Sequence, residues 1–344
     1  AVSVSDKTRL CGYPELLPVL VDELLRAGAA PKNITFYIAY GTHAAQNEDE
    51  SRNAYGPVYS DFRFVHHDCD TGGGFADFGT TRRGTRVLLR RDFCESSLKI
   101  LFGAISHHYF AGYGGGRKLV CPGLAARETV YGNHALFLDR LSGRLEPNCM
   151  PGCLDANPLA QDLRECAGAA EVDLAIHGLL DARGHARDLV IGSGWEPFAR
   201  ACREHAVATE VSCQAPYDLV LASCGGYPKD INFIQAHKSI HHAAAFVRDG
   251  GVLVLLAECR DGIGSETFMS WFDVGYNAAF AALNRRYRGN GGTALAMMEK
   301  TGRIKIKLVT TLPSAICGTV GTERITAAQV PSVVQDLVRH IPDG

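Results

Sequence analysis

The sequence has no long apolar run and almost no excess of charge of either sign. No stretch approaches the roughly 20 apolar residues that a membrane span needs, and 35 Lys and Arg stand against 37 Asp and Glu. This balance leaves no basic field for nucleic acid or anionic lipid. The first ten residues, AVSVSDKTRL, have no basic segment or cleavage site of an export signal. We therefore expect a cytoplasmic protein that binds a small molecule, and neither nucleic acid nor a membrane.

The twelve cysteines include no CxxC pair. Cys149 and Cys153 are the nearest candidates, and no second pair follows them at the spacing of a zinc site. We interpret the cysteines as scattered reduced thiols and not as a disulfide framework or a structural zinc site.

Short apolar runs alternate with segments of helical periodicity along the 344 residues. This alternation predicts an α/β fold, with two α/β domains built on largely parallel sheets. A cluster of Pro and polar residues at 213–220 indicates the boundary. We expect a cofactor-binding N-terminal domain over residues 1–212 and a C-terminal domain over 213–334.

Polar residues follow several of the predicted strands at the point where each strand ends. Asp6 and Arg9 follow AVSV, His43 follows ITFYIAY, and His108 follows LKILFGAI. The polar loops CGGYPKD and CRDG follow two later strands in the same way. Ligands of α/β proteins bind beyond the carboxyl ends of the strands, so we predict an active site in a cleft between the two domains.

A glycine-rich loop stands just after His108. Gly114, Gly115 and Gly116 would let backbone amides approach an anion, and Lys118 could neutralise it. The loop fits neither the Walker pattern nor G-x-G-x-x-G. Taken alone, this spacing occurs in tight turns as often as in nucleotide-binding loops.

Three histidines, His43, His108 and His134, stand on different loops or element ends. That placement suits convergence on a metal ion or on a proton-transfer task, although a single such histidine is more often structural. Gln235 and Lys238 are three residues apart on one helical face, where they could bind a carboxylate. An ordinary solvated helix would have the same pattern.

Taken together, the motifs resemble one known family. The segments SDKTR, GTH, HHYFAGYGGGRKLVCPGLA, NH, GGYPKDINFIQAHK and AECRDG occur in the order, and at close to the spacing, of the nickel-dependent lactate racemase family. The resemblance covers nearly the whole chain, and the ordered set is far more specific than any one motif. It also implies that the N-terminus of the first domain is clipped, and residues 335–344 are a candidate segment to complete that domain.

The resemblance implies a nickel-pincer nucleotide (pyridinium-3-thioamide-5-thiocarboxylic acid mononucleotide) that separate maturation proteins supply. By position, Lys118 is the residue that tethers this nucleotide, and His134 is the nickel ligand. The glycine loop with Arg117 would then hold the nucleotide phosphate.

The same resemblance implies a racemase or epimerase that inverts C2 of a 2-hydroxy carboxylic acid by reversible hydride transfer to the pincer. His43 and His108 would flank the substrate, each exchanging the hydroxyl proton of one antipode. Arg9, Lys238 and Gln235 match positions that bind the carboxylate and hydroxyl, and Asp6 matches an acidic residue that supports them.

Two positions depart from the lactate enzyme. Ile234 stands where the lactate racemase has tyrosine, and Gly292 aligns with a tryptophan beside its substrate. Loss of two aromatic walls predicts a roomier pocket and a substrate larger than lactate, such as a sugar acid that is epimerised at C2.

Two other function classes stay open at this stage. One is a carrier or storage protein that binds the nickel nucleotide without turnover, which would need neither His43 nor His108. The other is a zinc hydrolase, for which no HExxH or comparable spacing is found.

Overall fold

The computed structural model of the chain describes residues 1–339. The strands are β1 (Val2–Ser5), β2 (Thr35–Ala39), β3 (Arg63–His66), β4 (Phe75–Thr80), β5 (Arg86–Arg90), β6 (Ile100–Ala104), β7 (Ser106–His108), β8 (Gly112–Gly114), β9 (Leu138–Asp139), β10 (Arg144–Leu145), β11 (Leu174–Leu180), β12 (Ala186–Gly192), β13 (Tyr217–Ser223), β14 (Val247–Leu256), β15 (Lys305–Val309) and β16 (Glu323–Ile325). The helices are α1 (Tyr13–Arg26), α2 (Glu48–Tyr55), α3 (Val58–Asp61), α4 (Arg91–Cys94), α5 (Arg127–Ala135), α6 (Pro158–Gly168), α7 (Trp195–Thr209), α8 (Phe233–Ala244), α9 (Ser270–Arg285), α10 (Gly291–Arg303), α11 (Ser314–Thr319) and α12 (Val330–Arg339). Short 3-10 turns form at Pro31–Asn33, Gly116–Leu119 and Ala327–Gln329.

The chain divides into two compact units. Unit 1 comprises Ala1–Leu136 and Pro147–Glu210, and unit 2 comprises Phe137–Glu146 with the residues from Val211 onward. The end of unit 1 lies two residues before the boundary that the sequence predicts after residue 212. Residues 137–146, which form β9 and β10, belong to unit 2, and the sequence pattern does not indicate this.

Unit 1 is built on a six-stranded sheet in the order β12-β11-β6-β1-β2-β3. All neighbouring strands run parallel except β12, which pairs antiparallel with β11. The strands are mostly apolar because they are buried, and their core includes Val4, Ile38 and Phe102. Full burial of such a side chain contributes roughly 1.5–3 kcal/mol to stability. The predicted α/β class with largely parallel sheets is confirmed.

Helix α1 shows how the local sequence specifies its element. Leu17 and Val21, four residues apart, are buried against the sheet, while the opposite face is exposed. Pro14 stands in the first turn, where its missing N–H costs nothing. Gly28 follows the helix with φ +94°, a backbone conformation that favours glycine.

One apolar segment forms a strand outside the parallel sheet. The segment TRVLLR forms β5, which pairs antiparallel with β4 in a two-stranded hairpin. Its apolar residues Val87 and Leu89 are buried, so the apolar pattern alone does not reveal which sheet the strand joins.

Unit 2 is built on a parallel sheet in the order β13-β14-β15-β16. Val330, Val333 and Leu337 of helix α12 pack against the cluster formed by Val252, Val254 and Ile325 of this sheet. Residues 335–339, part of the segment expected to complete the first domain, therefore lie in a helix of unit 2. Residues 340–344 of that segment lie outside the described residues.

The twelve cysteines all lie within residues 1–339, and none of them forms a disulfide there. In the same part of the chain, no helix combines the length and the apolar character that crossing a membrane requires.

Candidate active site

The structure brings three of the predicted polar loops to one edge of the unit 1 sheet. Strands β6, β1 and β2 are neighbours in the sheet and run parallel, so their carboxyl ends lie side by side. Asp6 and Arg9 follow β1, His43 follows β2, and the β7 strand with His108 follows β6. This edge is where α/β sheets bind their ligands.

Asp6 and His43 form a close pair at this edge. Nδ1 of His43 lies 2.7 Å from Oδ2 of Asp6, and Oδ1 of Asp6 accepts hydrogen bonds from the backbone N–H and the hydroxyl of Thr8, at 2.8 and 2.6 Å. Burial tends to raise the pKa of the Asp6 carboxyl. The hydrogen bond and charge of His43, with the charge of Arg9, nevertheless hold that pKa well below its usual range. The ionised carboxylate accepts a hydrogen bond from Nδ1–H, which leaves the Nε2 lone pair of His43 available as a base.

The adjacent residues His107 and His108 face opposite sides of a hairpin. Strand β7 pairs antiparallel with β8, placing His107 opposite Tyr113 and His108 opposite Gly112. Nε2 of His107 lies 2.8 Å from Oε1 of Glu210, away from His108, because successive strand side chains alternate in direction. Only His108 is therefore a candidate for the active-site face.

The Nδ1 atom of buried His108 accepts a hydrogen bond from the backbone N–H of Ala111, at 3.3 Å. In a neutral imidazole, the nitrogen that accepts does not carry the proton. The proton of neutral His108 is therefore on Nε2, the reverse of the arrangement at His43.

Phe110 connects the predicted cofactor residues. Its ring centroid lies 4.6 Å from that of His108 and 4.9 Å from that of His134. The Nζ atom of Lys118 lies 5.6 Å from the same centroid. Lys118, His108 and His134, which are up to 26 residues apart in sequence, thus surround one aromatic ring.

His134 stands in the last turn of helix α5 and is held neutral. Its pKa is lowered to about 3, chiefly by burial and then by the positive charge of Lys118, with a smaller effect of His43. A neutral imidazole is the form that binds a metal ion. The charge effects also indicate that Lys118 and His43 are close enough to interact with His134 electrostatically.

The glycines of the loop are explained by close packing against protein atoms. A Cβ on Gly114 would lie 2.9 Å from the Ser106 hydroxyl, and a Cβ on Gly115, which has φ +75°, would collide with the Ala104 carbonyl. Gly116 has φ +49°, and its Cβ would lie 2.5 Å from the Phe198 ring. The glycines are therefore required whether or not a phosphate binds, and phosphate binding by this loop stays a prediction.

Arg117 and Lys118 are adjacent in sequence but have different surroundings. The Nη2 atom of buried Arg117 donates to the carbonyl of Ala111 at 2.8 Å, and its guanidinium carbon lies 4.9 Å from the Phe198 centroid. Lys118, in contrast, lies against Phe110. The structure thus does not bring the Arg117 side chain to the ring that connects Lys118 with His134.

The predicted substrate residues of unit 2 lie at the start of helix α8. The side chain of Asn232 caps the helix by accepting from the Gln235 N–H at 3.0 Å. Lys238 donates a hydrogen bond to the side-chain oxygen of Gln235, so the two polar groups lie together as their spacing predicts. Ile234 is half-buried beside them.

Gly292 stands in the first turn of helix α10, and the space beside its Cα is filled. A Cβ at this position would collide with the Tyr287 hydroxyl and lie 3.2 Å from the Phe137 ring. Tyr287 and Phe137, both of unit 2, therefore fill the space that a glycine at position 292 would otherwise leave empty. Of the two positions on which the prediction of a larger pocket rests, only Ile234 still supports it.

Phe110 and Thr8 are parts of the site that the sequence did not reveal. Phe110 is one of 15 phenylalanines, and nothing in its type or spacing marks it, although it stands within the motif that contains His108 and Lys118. Thr8 donates hydrogen bonds to Asp6, and because such donors are common in turns after an aspartate, its presence in the sequence does not indicate a functional site.

Comparison with known families agrees with these features. A family model described as the lactate racemase N-terminal domain matches residues 1–144, and one described as the lactate racemase C-terminal domain matches residues 212–282. The chain belongs to the lactate racemase family. The first match contains Asp6, His43, His108, Lys118 and His134, and the second contains Ile234, Gln235 and Lys238.

Two curated relatives are lactate racemases. The protein of Thermoanaerobacterium thermosaccharolyticum is 29% identical over 272 residues, covering 79% of this chain and 62% of the relative. The protein of Lactiplantibacillus plantarum is 29% identical over 269 residues, covering 77% of this chain and 61% of the relative. The matched part thus spans less than two thirds of the length of each lactate racemase.

Solved structures extend the likeness to the fold. The lactate racemase apoprotein of T. thermosaccharolyticum superposes with a TM-score of 0.90 at 25% identity, covering 98% of this chain and 82% of that structure. A protein from Thermotoga maritima superposes with a TM-score of 0.75 at 18% identity, covering 97% and 88%. The second likeness shows a shared fold alone.

Proposed function

We propose that this lactate racemase family member is a racemase or epimerase that inverts C2 of a 2-hydroxy carboxylic acid with a nickel-pincer nucleotide tethered to Lys118. The observation that carries the proposal is the pair of imidazoles at one sheet edge, His43 held by Asp6 and His108 beside Phe110. Inversion needs a proton-exchanging group for each antipode, and these two histidines supply them.

The residues around Phe110 fit the nucleotide. A flat ring fixed to Lys118 would have an aromatic neighbour in Phe110, and neutral His134, whose ring also lies against Phe110, would supply a nitrogen ligand to nickel. Lys118 and His134 would therefore hold the group. When bound, the pincer supplies a hydride acceptor, which the side chains of this chain lack.

The protein groups then bind the substrate and move the hydroxyl proton. The hydrogen bond to Asp6 leaves Nε2 of neutral His43 ready to accept a proton. As one enantiomer reacts, neutral His43 takes the hydroxyl proton and becomes an imidazolium, and His108, starting as an imidazolium, gives its Nε2 proton to the product hydroxyl and becomes neutral. The reverse direction uses the two histidines in exchanged roles.

We assign carboxylate binding to Arg9, with Gln235 and Lys238 from unit 2 binding the carboxylate or hydroxyl. A planar guanidinium donates two parallel hydrogen bonds to a carboxylate, which fixes the orientation of C2. Half-buried Ile234 replaces the tyrosine of the lactate enzyme, and this supports a substrate larger than lactate. Gly292 adds no support, because Tyr287 and Phe137 fill its space.

The test begins with the protein produced in a host that carries the pincer maturation enzymes. Intact mass spectrometry should show an added mass on the wild type that matches a nickel-bearing nucleotide, and none on Lys118→Ala. The loaded protein should then interconvert the enantiomers or C2 epimers of a panel of 2-hydroxy acids. His43→Ala should keep the added mass and lose the interconversion.

The outcomes separate the proposal from the carrier hypothesis. A loaded wild-type protein that is inactive on the whole panel would favour a non-catalytic carrier of the nucleotide. A folded wild type with no added mass would overturn the assignment of Lys118. Turnover of lactate equal to that of every larger acid would overturn the assigned substrate size.

A further inference from the structure

Unit 1 contains a cavity of about 300 Å³ that none of the residues assigned to catalysis lines. Its buried floor is formed by Arg117, His177 and Phe198, and its more exposed mouth by Arg164, Glu171 and Trp195. A volume of this size is at the lower end of small-molecule sites. The cavity is therefore large enough for a compact organic ligand.

Arg117 brings a buried charge to the cavity without a counter-ion from the described chain. The residue is 6% exposed, and its Nε and Nη1 atoms have no hydrogen-bond partner among residues 1–339. No carboxylate of that part of the chain forms an ion pair with it, and its one described hydrogen bond is that of Nη2 with the Ala111 carbonyl. Burying a charge without a partner is costly, so a guanidinium lining a cavity in this state favours the binding of an anion there.

His177 adds a second unsatisfied polar group to the floor. It is 1% exposed, and neither ring nitrogen has a hydrogen-bond partner within the described residues. Burial lowers its pKa to about 4, so the ring is neutral near pH 7 and offers one donor and one acceptor. The floor thus holds one positive charge and one neutral imidazole.

The wall of the cavity is aromatic and cationic. The guanidinium carbon of Arg164 lies 4.1 Å from the Trp195 ring centroid, and Trp195 is 5.0 Å from Phe198 between centroids. Trp195 also begins the 15-residue helix α7, whose N-terminus has no side-chain cap. Aromatic side chains next to guanidinium groups suit a flat, negatively charged molecule.

We propose that this cavity, lined by Arg117, Arg164, His177 and Trp195, is a second binding site that takes a compact aromatic carboxylate. The remaining lining is mainly apolar and includes Val120, Leu174 and Ala175, which suits a ring and not a fully hydrated ion. Glu171, the one carboxylate in the lining, stands at the exposed mouth and disfavours a dianion such as hydrogen phosphate.

The cavity shares Gly116 and Arg117 with the loop that is predicted to hold the nucleotide phosphate, but its lining does not include Lys118. The Arg117 guanidinium lies against Phe198, and the Lys118 ammonium lies against Phe110. Binding in the cavity therefore needs neither Lys118 nor Arg9, and its test does not depend on catalysis.

The test is a fluorescence titration with benzoate. The chain has two tryptophans, and in a Trp271→Phe background the emission reports Trp195 alone. We expect a saturable change on addition of benzoate. Arg164→Ala, at the exposed mouth, should weaken binding about tenfold and Arg117→Met at least as much, while Glu171→Gln should tighten it a few-fold.

Two control variants test whether the benzoate signal belongs to this cavity. Arg203→Ala, on the same helix as Trp195 but paired with Glu196, should leave the benzoate affinity unchanged. Arg9→Ala should also leave it unchanged, which separates this cavity from the proposed substrate site. Calorimetry on the wild type should give the same affinity as the fluorescence titration.

Three results would overturn the proposal. The first is the absence of a saturable signal from the folded wild-type and Trp271→Phe proteins. The second is an unchanged affinity in Arg164→Ala together with Arg117→Met, each checked for folding by circular dichroism. The third is inorganic phosphate binding as tightly as benzoate, which would make the cavity an oxyanion site without aromatic selectivity.

Discussion

His43 and Asp6 form an imidazole–carboxylate pair, with Nδ1 of His43 2.7 Å from Oδ2 of Asp6. The carboxylate is 3% exposed and is fixed from its other side by Thr8, whereas the imidazole is partly exposed. The buried Asp6 carboxylate is therefore a fixed hydrogen-bond acceptor for Nδ1 of His43, while the exposed part of the imidazole can act as a base. At His108 the arrangement differs, because Nδ1 accepts from a backbone N–H instead.

Asp6→Asn should lower the turnover of the proposed racemase by a factor on the order of 10²–10⁴, because an amide neither fixes the same tautomer of His43 nor stabilises its protonated form. The measurement is kcat on the best 2-hydroxy acid, normalised to the fraction of protein that carries the nucleotide. Asp22→Asn, on the exposed face of helix α1, is the matched control and should keep full activity. Full normalised activity of Asp6→Asn would remove the pair from the proposed mechanism.

Phe110→Leu should lower kcat roughly 10²-fold, because loss of the ring that touches His108, His134 and Lys118 displaces all three by a fraction of an ångström or more. The fraction of loaded protein, measured by intact mass, should fall as well. Phe93→Leu removes an equally buried ring elsewhere in unit 1. This control should lose stability but keep both loading and normalised kcat, and an equal loss in the two variants would assign Phe110 a packing role only.

The pattern of the sequence predicts the sheet edge well because a parallel α/β fold ties position in sequence to position in space. Asp6, His43 and His108 each follow an apolar strand, and strands β1, β2 and β6 are neighbours, so the three residues lie at the same edge of the sheet. The apolar residues of these strands and those of helix α1 are buried in the same core, which is why both elements can be recognised from the sequence.

The remaining features depend on tertiary contacts that no local pattern encodes. Whether Arg117 or Lys118 faces Phe110 depends on the 3-10 turn at Gly116–Leu119, and the sequence offers no mark that distinguishes the two cations. Gly292 suggests an opened pocket only until Tyr287, five residues earlier, is placed against it. Residues 137–146 join unit 2 through two short strands, which are too brief to be detected by periodicity.

Gly116→Ala should destabilise the chain by about 2–4 kcal/mol, since it adds backbone strain at φ +49° and a Cβ 2.5 Å from the Phe198 ring. Gly28→Ala is the matched control: it has φ +94° and nothing within 4 Å of the added Cβ, so it should cost only the strain, about 1–2 kcal/mol. The measurement is the free energy of unfolding in urea. Equal losses in the two variants would show that Gly116 is not closely packed.

Ile234→Tyr should shift the preference toward lactate. A larger ring at this half-buried position of helix α8 fills space that the proposed larger substrate uses, and we expect the kcat/KM ratio of lactate to the best larger acid to rise about tenfold. Ile191→Tyr, on the exposed edge strand β12, is the control and should leave the ratio unchanged. A ratio that also stays constant in Ile234→Tyr would place residue 234 outside the substrate pocket.

His177→Leu should make stability less dependent on pH. Burial lowers the pKa of His177 to about 4, below its unfolded value of about 6.5, so the unfolded chain binds the proton first as the pH falls. His177 therefore disfavours the folded state increasingly from about pH 6.5 down toward pH 4, by roughly 1 kcal/mol at pH 5.5. The free energy of unfolding should fall between pH 7.5 and pH 5.5, and by about 1 kcal/mol less in His177→Leu than in the wild type.

His67 gives an independent replicate, because burial also lowers its pKa to about 4. His67→Leu loses the hydrogen bond to the Ala125 carbonyl at every pH, but it should reduce the pH dependence of the free energy of unfolding by the same amount. Identical slopes for the wild type and both variants would contradict the burial of neutral imidazoles at these two positions.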